Sequence, residues 1–154
     1  METDARKRVL FVSYLFPPTG GVGVQRVTKF VKYLGDFGWT PSVLTAVNPS
    51  VPLRDESLCR DVPESTIVCV ARTREPDYRW KQSIGGGGAP AKGGLRKLTS
   101  GLRSAARAAA NSLLQPDPQI LWRPDAVRVG LELLKEIPHQ VIVATGPPFS
   151  TFLV

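Results

Sequence analysis

The sequence predicts an α/β fold, with a mostly parallel sheet and helices on both faces. Three consecutive features carry that prediction. Arg8-Val-Leu-Phe-Val-Ser-Tyr14 is a short unbroken apolar run, the pattern of a strand buried on both faces of a parallel sheet. A glycine-bearing loop follows, Leu15 to Gly23. Then Val24, Val27, Phe30, Val31, Leu34 and Phe37 recur at spacings of three and four, which predicts one face of an amphipathic helix over 24–37. Gly38 is a helix stop, and Trp39-Thr40-Pro41 prevents its continuation. Ser42 to Thr45 resumes as a second strand. Strand, loop, helix and strand make a βαβ unit, whose crossover is right-handed.

The remaining elements follow in order. Residues Asn48 to Pro63 are rich in Pro and Ser and read as a long connection. Thr66 to Ala71 is a third strand. Gly85 to Gly94 is a low-complexity stretch, whose composition predicts a mobile insertion. Leu95 to Leu114 carries an apolar stripe of Leu95, Leu98, Leu102, Ala106, Ala109 and Leu113, and Pro116-Asp-Pro118 ends that helix. Asp125 to Ile137 is a further helix and Gln140 to Thr145 a fourth strand. After the turn Gly146-Pro-Pro-Phe-Ser150, Ser150 is placed to cap a helix beginning Thr151-Phe-Leu-Val154. A chain stopping in that apolar start, with the fourth strand's edge uncovered, reads as part of a longer protein.

Composition narrows the function. At 154 residues the chain holds one domain with a core and is too short for two. No apolar run reaches the ~18–20 residues of a membrane span, and Val9 to Val12 is too short for a signal peptide, so a cytoplasmic location is expected. Cys59 and Cys69 are the only cysteines and form no Cys-x-x-Cys pair, which supports neither a disulfide framework nor a zinc site. His139 stands without an evident catalytic partner. The net charge of +7 is concentrated between Ala71 and Leu114, which holds nine basic residues against Glu75 and Asp77. One segment therefore accounts for the imbalance, which points to a local anionic partner.

The glycine loop is the first candidate site. Gly20, Gly21, Val22 and Gly23 lie where a buried strand hands over to a helix, and open α/β sheets bind ligands at that carboxyl edge. Glycines admit a ligand close to the backbone, and the amides at a helix start favour phosphate or carboxylate. A tight turn without a ligand is the alternative. Arg26 stands where the dinucleotide fingerprint needs its third glycine. The second strand ends Leu44-Thr45-Ala46 without an acid for a ribose, and no Gly-Lys-Ser/Thr follows the loop. NAD binding and P-loop hydrolysis are disfavoured.

The run Arg8-Val-Leu-Phe-Val-Ser-Tyr-Leu-Phe-Pro-Pro-Thr-Gly-Gly-Val-Gly-Val-Gln-Arg26 closely resembles the opening of family 4 glycosyltransferases. Lys29 to Leu34 and Phe37 to Thr45 look like that family's first helix and second strand. Pro116-Asp-Pro-Gln-Ile-Leu-Trp-Arg-Pro124 and Ala144-Thr-Gly-Pro-Pro-Phe-Ser150 are similar to later landmarks of its N-terminal domain. The match covers most of the chain outside roughly 47–112. It implies the Rossmann-like N-terminal half of a GT-B fold, with strand order 3-2-1-4, and a retaining transfer of sugar from a nucleotide-diphospho-sugar to an acceptor hydroxyl on a glycan or lipid-linked glycan. It implies no metal and no cofactor beyond that co-substrate. Carried over, Gly20, Gly21, Val22 and Gly23 would face the donor diphosphate, and Thr145, Gly146 and Ser150 would line the cleft. Arg26 either adds positive charge there or is a surface residue. The family's Glu-x₇-Glu pair belongs to a C-terminal donor-binding domain; Glu56 and Glu64 share the spacing by coincidence, in a loop of the wrong half. The donor cradle is therefore missing, and no transferase activity is expected of these residues alone.

The helix over 95–114 is the second candidate. Arg96, Lys97, Arg103 and Arg107 beside an apolar stripe suit an anionic membrane surface near lipid-linked acceptors, or an ordinary helix with a solvated basic face. Two other functions compete with sugar transfer: a stand-alone Rossmann-like module that binds a phosphate-bearing ligand without catalysis, and nucleic-acid binding. The latter is not expected, because the basic segment lacks interleaved aromatics beyond Tyr78 and Trp80 and matches no reading motif.

Overall fold

A computed structural model describes residues 7–75 and 115–154. Four parallel strands form one sheet in the order β3-β2-β1-β4: β1 is Lys7–Val12, β2 Trp39–Ala46, β3 Ile67–Ala71 and β4 Val141–Ala144. Helix α1, Val22–Leu34, connects β1 to β2, and helix α2, Arg123–Glu136, precedes β4. The α/β class and the strand order agree with expectation, and the sheet expected to be mostly parallel is parallel in all three of its pairings among the described residues. Of the mobile basic insertion expected over about 72–114, residues 72–75 are hydrogen-bonded to the fold, and residues 76–114, with Arg96, Lys97, Arg103 and Arg107, lie outside the described residues.

β1 shows why an unbroken apolar run makes a central strand. Successive side chains point to opposite faces, so Val9 and Phe11 join Val27, Val31 and Val43 in a core beneath α1. Leu10 and Val12 join Leu44, Trp122, Ala126 and Leu133 in a second core beneath α2. Both faces are thus covered, by different helices. Trp122 is fully buried, meets Tyr14 edge-on at 5.4 Å, and donates its indole N–H to the Ala71 carbonyl at 3.3 Å.

Several boundaries and faces differ from expectation for identifiable reasons. The α1 stripe is Val24, Val27, Thr28 and Val31, not the set that includes Phe30 and Phe37, which are 55% and 77% exposed. At about 100° per residue, Phe30 stands a quarter-turn or more away from Val31. It covers only the flank of the core, stacked on Phe11 at 6.1 Å. Thr28 takes the central place because its hydroxyl donates to the Val24 carbonyl at 2.8 Å, which satisfies the group inside the helix. The helix ends at Leu34, and a 3₁₀ turn, Gly35–Phe37, leads to Gly38 in the left-handed region at φ 74°. β2 begins at Trp39, earlier than predicted, and contains Pro41. β3 pairs with β2 only from Ser42 onward, so Pro41 occupies a stretch with a single partner strand, where a missing N–H is tolerated.

The long connection is also more ordered than its composition suggests. Glu56–Asp61 is a 3₁₀ turn, capped by the Asp55 carboxylate accepting from the Ser57 amide at 3.0 Å. Asp61 then receives Lys29 at 2.6 Å and Lys32 at 2.5 Å, pinning the turn to α1. At the other end of the chain, Phe149–Leu153 is a 3₁₀ turn. Ser150 lies inside it and does not cap it; the cap comes from Asp117, whose Oδ2 accepts from the Phe149 and Ser150 amides at 2.6 and 3.0 Å.

Candidate functional site

The carboxyl edge of the sheet gathers the loops after β1, β2, β3 and β4. After β1, Ser13 and Tyr14 continue in register with β2, and the chain passes through the Pro17-Pro18 bond, which is cis. Thr19 makes a bridge to Arg54, Gly20 donates to the Leu53 carbonyl at 2.9 Å, and Asp55 donates to the Pro18 carbonyl at 2.8 Å. The glycine loop is therefore backed by residues 53–55.

The glycines of this loop divide by role. A Cβ on Gly20 would stand 2.9 Å from Leu53 Cγ and 3.3 Å from Asp55 Cβ, so its smallness is used up in packing. Gly21 has φ 120°, a conformation that excludes ordinary L-residues, and it opens α1 as the N-cap. A Cβ on Gly21 or Gly23 would meet nothing within 4 Å. Val22 is 86% exposed. The amides of Val22 and Gly23 have no acceptor among the described residues, since the helix ladder begins with Val24 and Gln25 bonding back to Gly21. Two helix-start donors thus face open space.

The electrostatics of that opening favour an anion. α1 has no acidic residue in its first turn, so the positive end of its dipole is uncompensated locally. Arg26 adds a full charge one turn further on. Its Nη2 donates to Thr145 Oγ1 and to the Gly146 carbonyl, both at 2.6 Å. A guanidinium has five N–H donors, so Arg26 can hold the β4 loop and still offer donors outward. The neighbouring carboxylate, Asp55, accepts from both the amide and the hydroxyl of Ser57.

Thus Gly21, Val22, Gly23, Arg26, Thr145 and Gly146 come together at one edge, with Arg26 as the link. Ser150 is placed differently: it is 1% exposed, and its hydroxyl has no partner among the described residues. Asp117 and Arg123 were not singled out from the sequence, yet both shape this edge. Asp117 caps the turn after β4, and Arg123 Nε donates to the Leu153 carbonyl at 2.6 Å. Asp117 is bracketed by Pro116 and Pro118, and that spacing was the available signal.

A buried polar cluster lies behind the edge and was also missed. Tyr14 and Gln119 both donate to the Glu75 carboxylate, the latter at 2.5 Å, and the Glu75 amide bonds Thr73 Oγ1 at 3.2 Å. Burial, then the Glu75 hydrogen bond and charge, push the Tyr14 phenol well above its ordinary range. Tyr14 is therefore a proton donor to Glu75 and not a phenolate nucleophile.

The other titratable residues have structural roles. His139 Nδ1 stands 2.7 Å from the Ile137 carbonyl and must donate to it, while Nε2 meets Ser42 Oγ at 2.9 Å. It precedes β4, at the end of the sheet opposite the glycine loop. Cys69 is half-buried, and burial followed by the Glu136 charge pushes its thiol up, away from the reactive thiolate. Cys59 is exposed and free. Among the described residues, no group of three or more His, Cys, Asp or Glu could hold a metal, and no helix is long and apolar enough to cross a membrane. Comparison with protein-family models, curated proteins and solved structures finds no match to the chain.

Proposed function

We propose that this chain is the acceptor-side domain of a retaining glycosyltransferase, in which the glycine loop and Arg26 face the diphosphate of a nucleotide-sugar donor. The observation that carries the reading is the open pair of amides at Val22 and Gly23 beside an Arg26 that bridges to Thr145 and Gly146. Those groups supply directional donors and positive charge without a metal, which is what a diphosphate requires. The continuous resemblance from Arg8 to Arg26, and again from Ala144 to Ser150, supports the same assignment. On this reading the nucleotide is cradled by a second, C-terminal domain, and these 154 residues contribute one wall of the cleft.

The test is an NMR titration of the chain with a panel of nucleotide-diphospho-sugars. The reading expects shifts centred on the amides of Gly21, Val22 and Gly23 and on Arg26, reproduced by the matching nucleoside diphosphate and absent with the nucleoside. It also expects no sugar transfer by the 154-residue chain alone. Shifts confined to other edges of the sheet would remove the donor assignment. Binding at the loop by many unrelated phosphates, with no preference for sugar nucleotides, would favour the non-catalytic binding module.

A further inference from the structure

A second basic cleft lies on the α2 side of the sheet, two strands from the glycine loop, or roughly 10 Å at the ordinary strand spacing. Past β3 the chain stays extended, and its side chains alternate: Thr73 and Glu75 are buried, while Arg72 and Arg74 are exposed. The buried side is anchored at every step. Asn48 holds Thr73 through its amide nitrogen to the Thr73 carbonyl at 3.2 Å and its oxygen to the Thr73 amide at 3.1 Å. Glu75 is held by Tyr14 and Gln119. The Arg72 amide donates to Asp125 Oδ2 at 2.7 Å, at the start of α2. A fixed ribbon therefore presents two arginines to the same side.

Both line a cleft of about 830 Å³ with Val47, Leu121, Pro124 and Arg128. The charges are not balanced. Asp125 is the carboxylate of the lining, and its oxygens serve Arg128 and the Arg72 amide. Arg128 also grips Glu132 at 3.1 Å through both carboxylate oxygens. Among the described residues neither the Arg72 nor the Arg74 guanidinium forms a salt bridge, although the Arg72 charge, after the hydrogen bonds from the Arg72 amide and Arg128, helps hold the Asp125 carboxyl below its ordinary range. Two exposed guanidinium forks that form no salt bridge among the described residues, beside an apolar wall, suit a phosphoryl group attached to a larger body. The cleft volume falls in the range of small-molecule sites, well beyond the need of a bare phosphate.

We propose that this cleft binds an organic phosphate, with Arg72 and Arg74 holding the phosphoryl group and Val47, Leu121 and Pro124 contacting the remainder of the molecule. The site is separate from the glycine loop and stands whether or not the chain takes part in sugar transfer. The phosphate comes either from a soluble phosphorylated compound or from a lipid headgroup, and the experiment separates these sources.

Wild-type chain is titrated with glycerol 3-phosphate and with inorganic sulfate at matched ionic strength, by isothermal calorimetry and amide NMR. It is also sedimented with phosphatidylcholine vesicles, with and without phosphatidylglycerol. The expected result is one-to-one saturable binding of glycerol 3-phosphate, or phosphatidylglycerol-dependent sedimentation, with shifts at Asn48, Arg72 and Arg74. The double variant Arg72→Ala/Arg74→Ala should weaken it roughly tenfold or more. Arg72→Lys/Arg74→Lys should retain part of it, because the charge remains and the fork is lost. Arg60→Ala, a charge-matched change elsewhere, and Gly23→Ala should leave it intact. Soluble binding identifies a soluble phosphate, and sedimentation alone identifies the headgroup. The proposal is overturned if no probe binds saturably, if sulfate competes equally, or if binding survives the double alanine variant. Loss in Gly23→Ala alone would also overturn it, by assigning the phosphate to the glycine loop.

Discussion

Replacing Gly23 with alanine separates a glycine kept for a ligand from one kept for the fold. Gly23 lies in the first turn of α1, has no positive φ, and a Cβ there would meet nothing within 4 Å. The protein alone gives no reason for glycine. Alanine in a helix is favoured over glycine by roughly 0.5–1 kcal/mol, so Gly23→Ala should leave stability unchanged or raise it by up to about that much. Ligand binding should move the other way. A methyl group beside the Val22 and Gly23 amides displaces any phosphate bonded to them. Loss of one hydrogen bond to a charged group is about 1.5–3 kcal/mol, or roughly tenfold to a hundredfold in affinity. Urea unfolding gives the first quantity, and calorimetric titration with the nucleoside diphosphate of the preferred donor gives the second. Gly21→Ala is the contrasting variant, because φ 120° makes alanine strained there whatever the ligand. If Gly23→Ala binds as tightly as the wild type, the amides do not contact the diphosphate, and the reasoning that makes this loop the donor site fails.

Four further outcomes are expected. Arg26→Ala removes both hydrogen bonds to Thr145 and Gly146; the site is exposed, so stability should fall by no more than about 1 kcal/mol, while hydrogen exchange of residues 145–146 speeds up and diphosphate binding weakens. Tyr14→Phe leaves Glu75 with one fewer donor inside the protein, which should cost about 1–3 kcal/mol and lower Tm by several degrees in a thermal melt. Trp122→Ala empties the centre of the α2 core and should cost about 3–5 kcal/mol, a large part of a typical domain's stability, read as a collapsed urea midpoint. Finally, hydrogen bonds from Lys29 and then Lys32 hold the Asp61 carboxyl near 2, below its ordinary 3.8. A depressed folded-state value stabilises above the unfolded one, so this contribution is complete above about pH 4 and fades as pH falls toward 2. Asp61→Asn should flatten that part of the acid-unfolding profile, and an unchanged profile would contradict the pairing.

The division between what could and could not be read from the chain follows the range of the interactions involved. β1 was legible because Val9 to Val12 must be buried on both faces, and only a strand between two helical layers achieves that. The glycine loop was legible because Gly21 needs a backbone conformation that few other residues adopt. Phe30 and Phe37 were misplaced because they satisfy helical spacing nearly as well as Thr28, and hydrophobicity alone ranks threonine last. The hydroxyl's bond to Val24, a local geometric fact, reverses that ranking. No local rule pairs Arg26 with Thr145, Asp117 with the Phe149 amide, or Tyr14 with Glu75, since each contact joins residues far apart in sequence.

Those long-range contacts nevertheless share one location. Each ties a loop at the carboxyl edge to an element that the core already fixes: Arg26 from α1, Asp117 from the turn before α2, and Tyr14 at the end of β1. The amino edge has its own ties among the described residues, His139 Nε2 with Ser42 Oγ and the Arg8 amide donating to Gln140 Oε1. Loops are ordinarily the mobile part of a fold. Fixing them with polar contacts at one edge costs conformational entropy that packing alone does not require. The edge so fixed is the one where the Val22 and Gly23 amides and the Arg72 and Arg74 side chains remain open. A rigid frame around unsatisfied donors is what preorganised anion binding needs, and it is why both proposed sites belong at this edge.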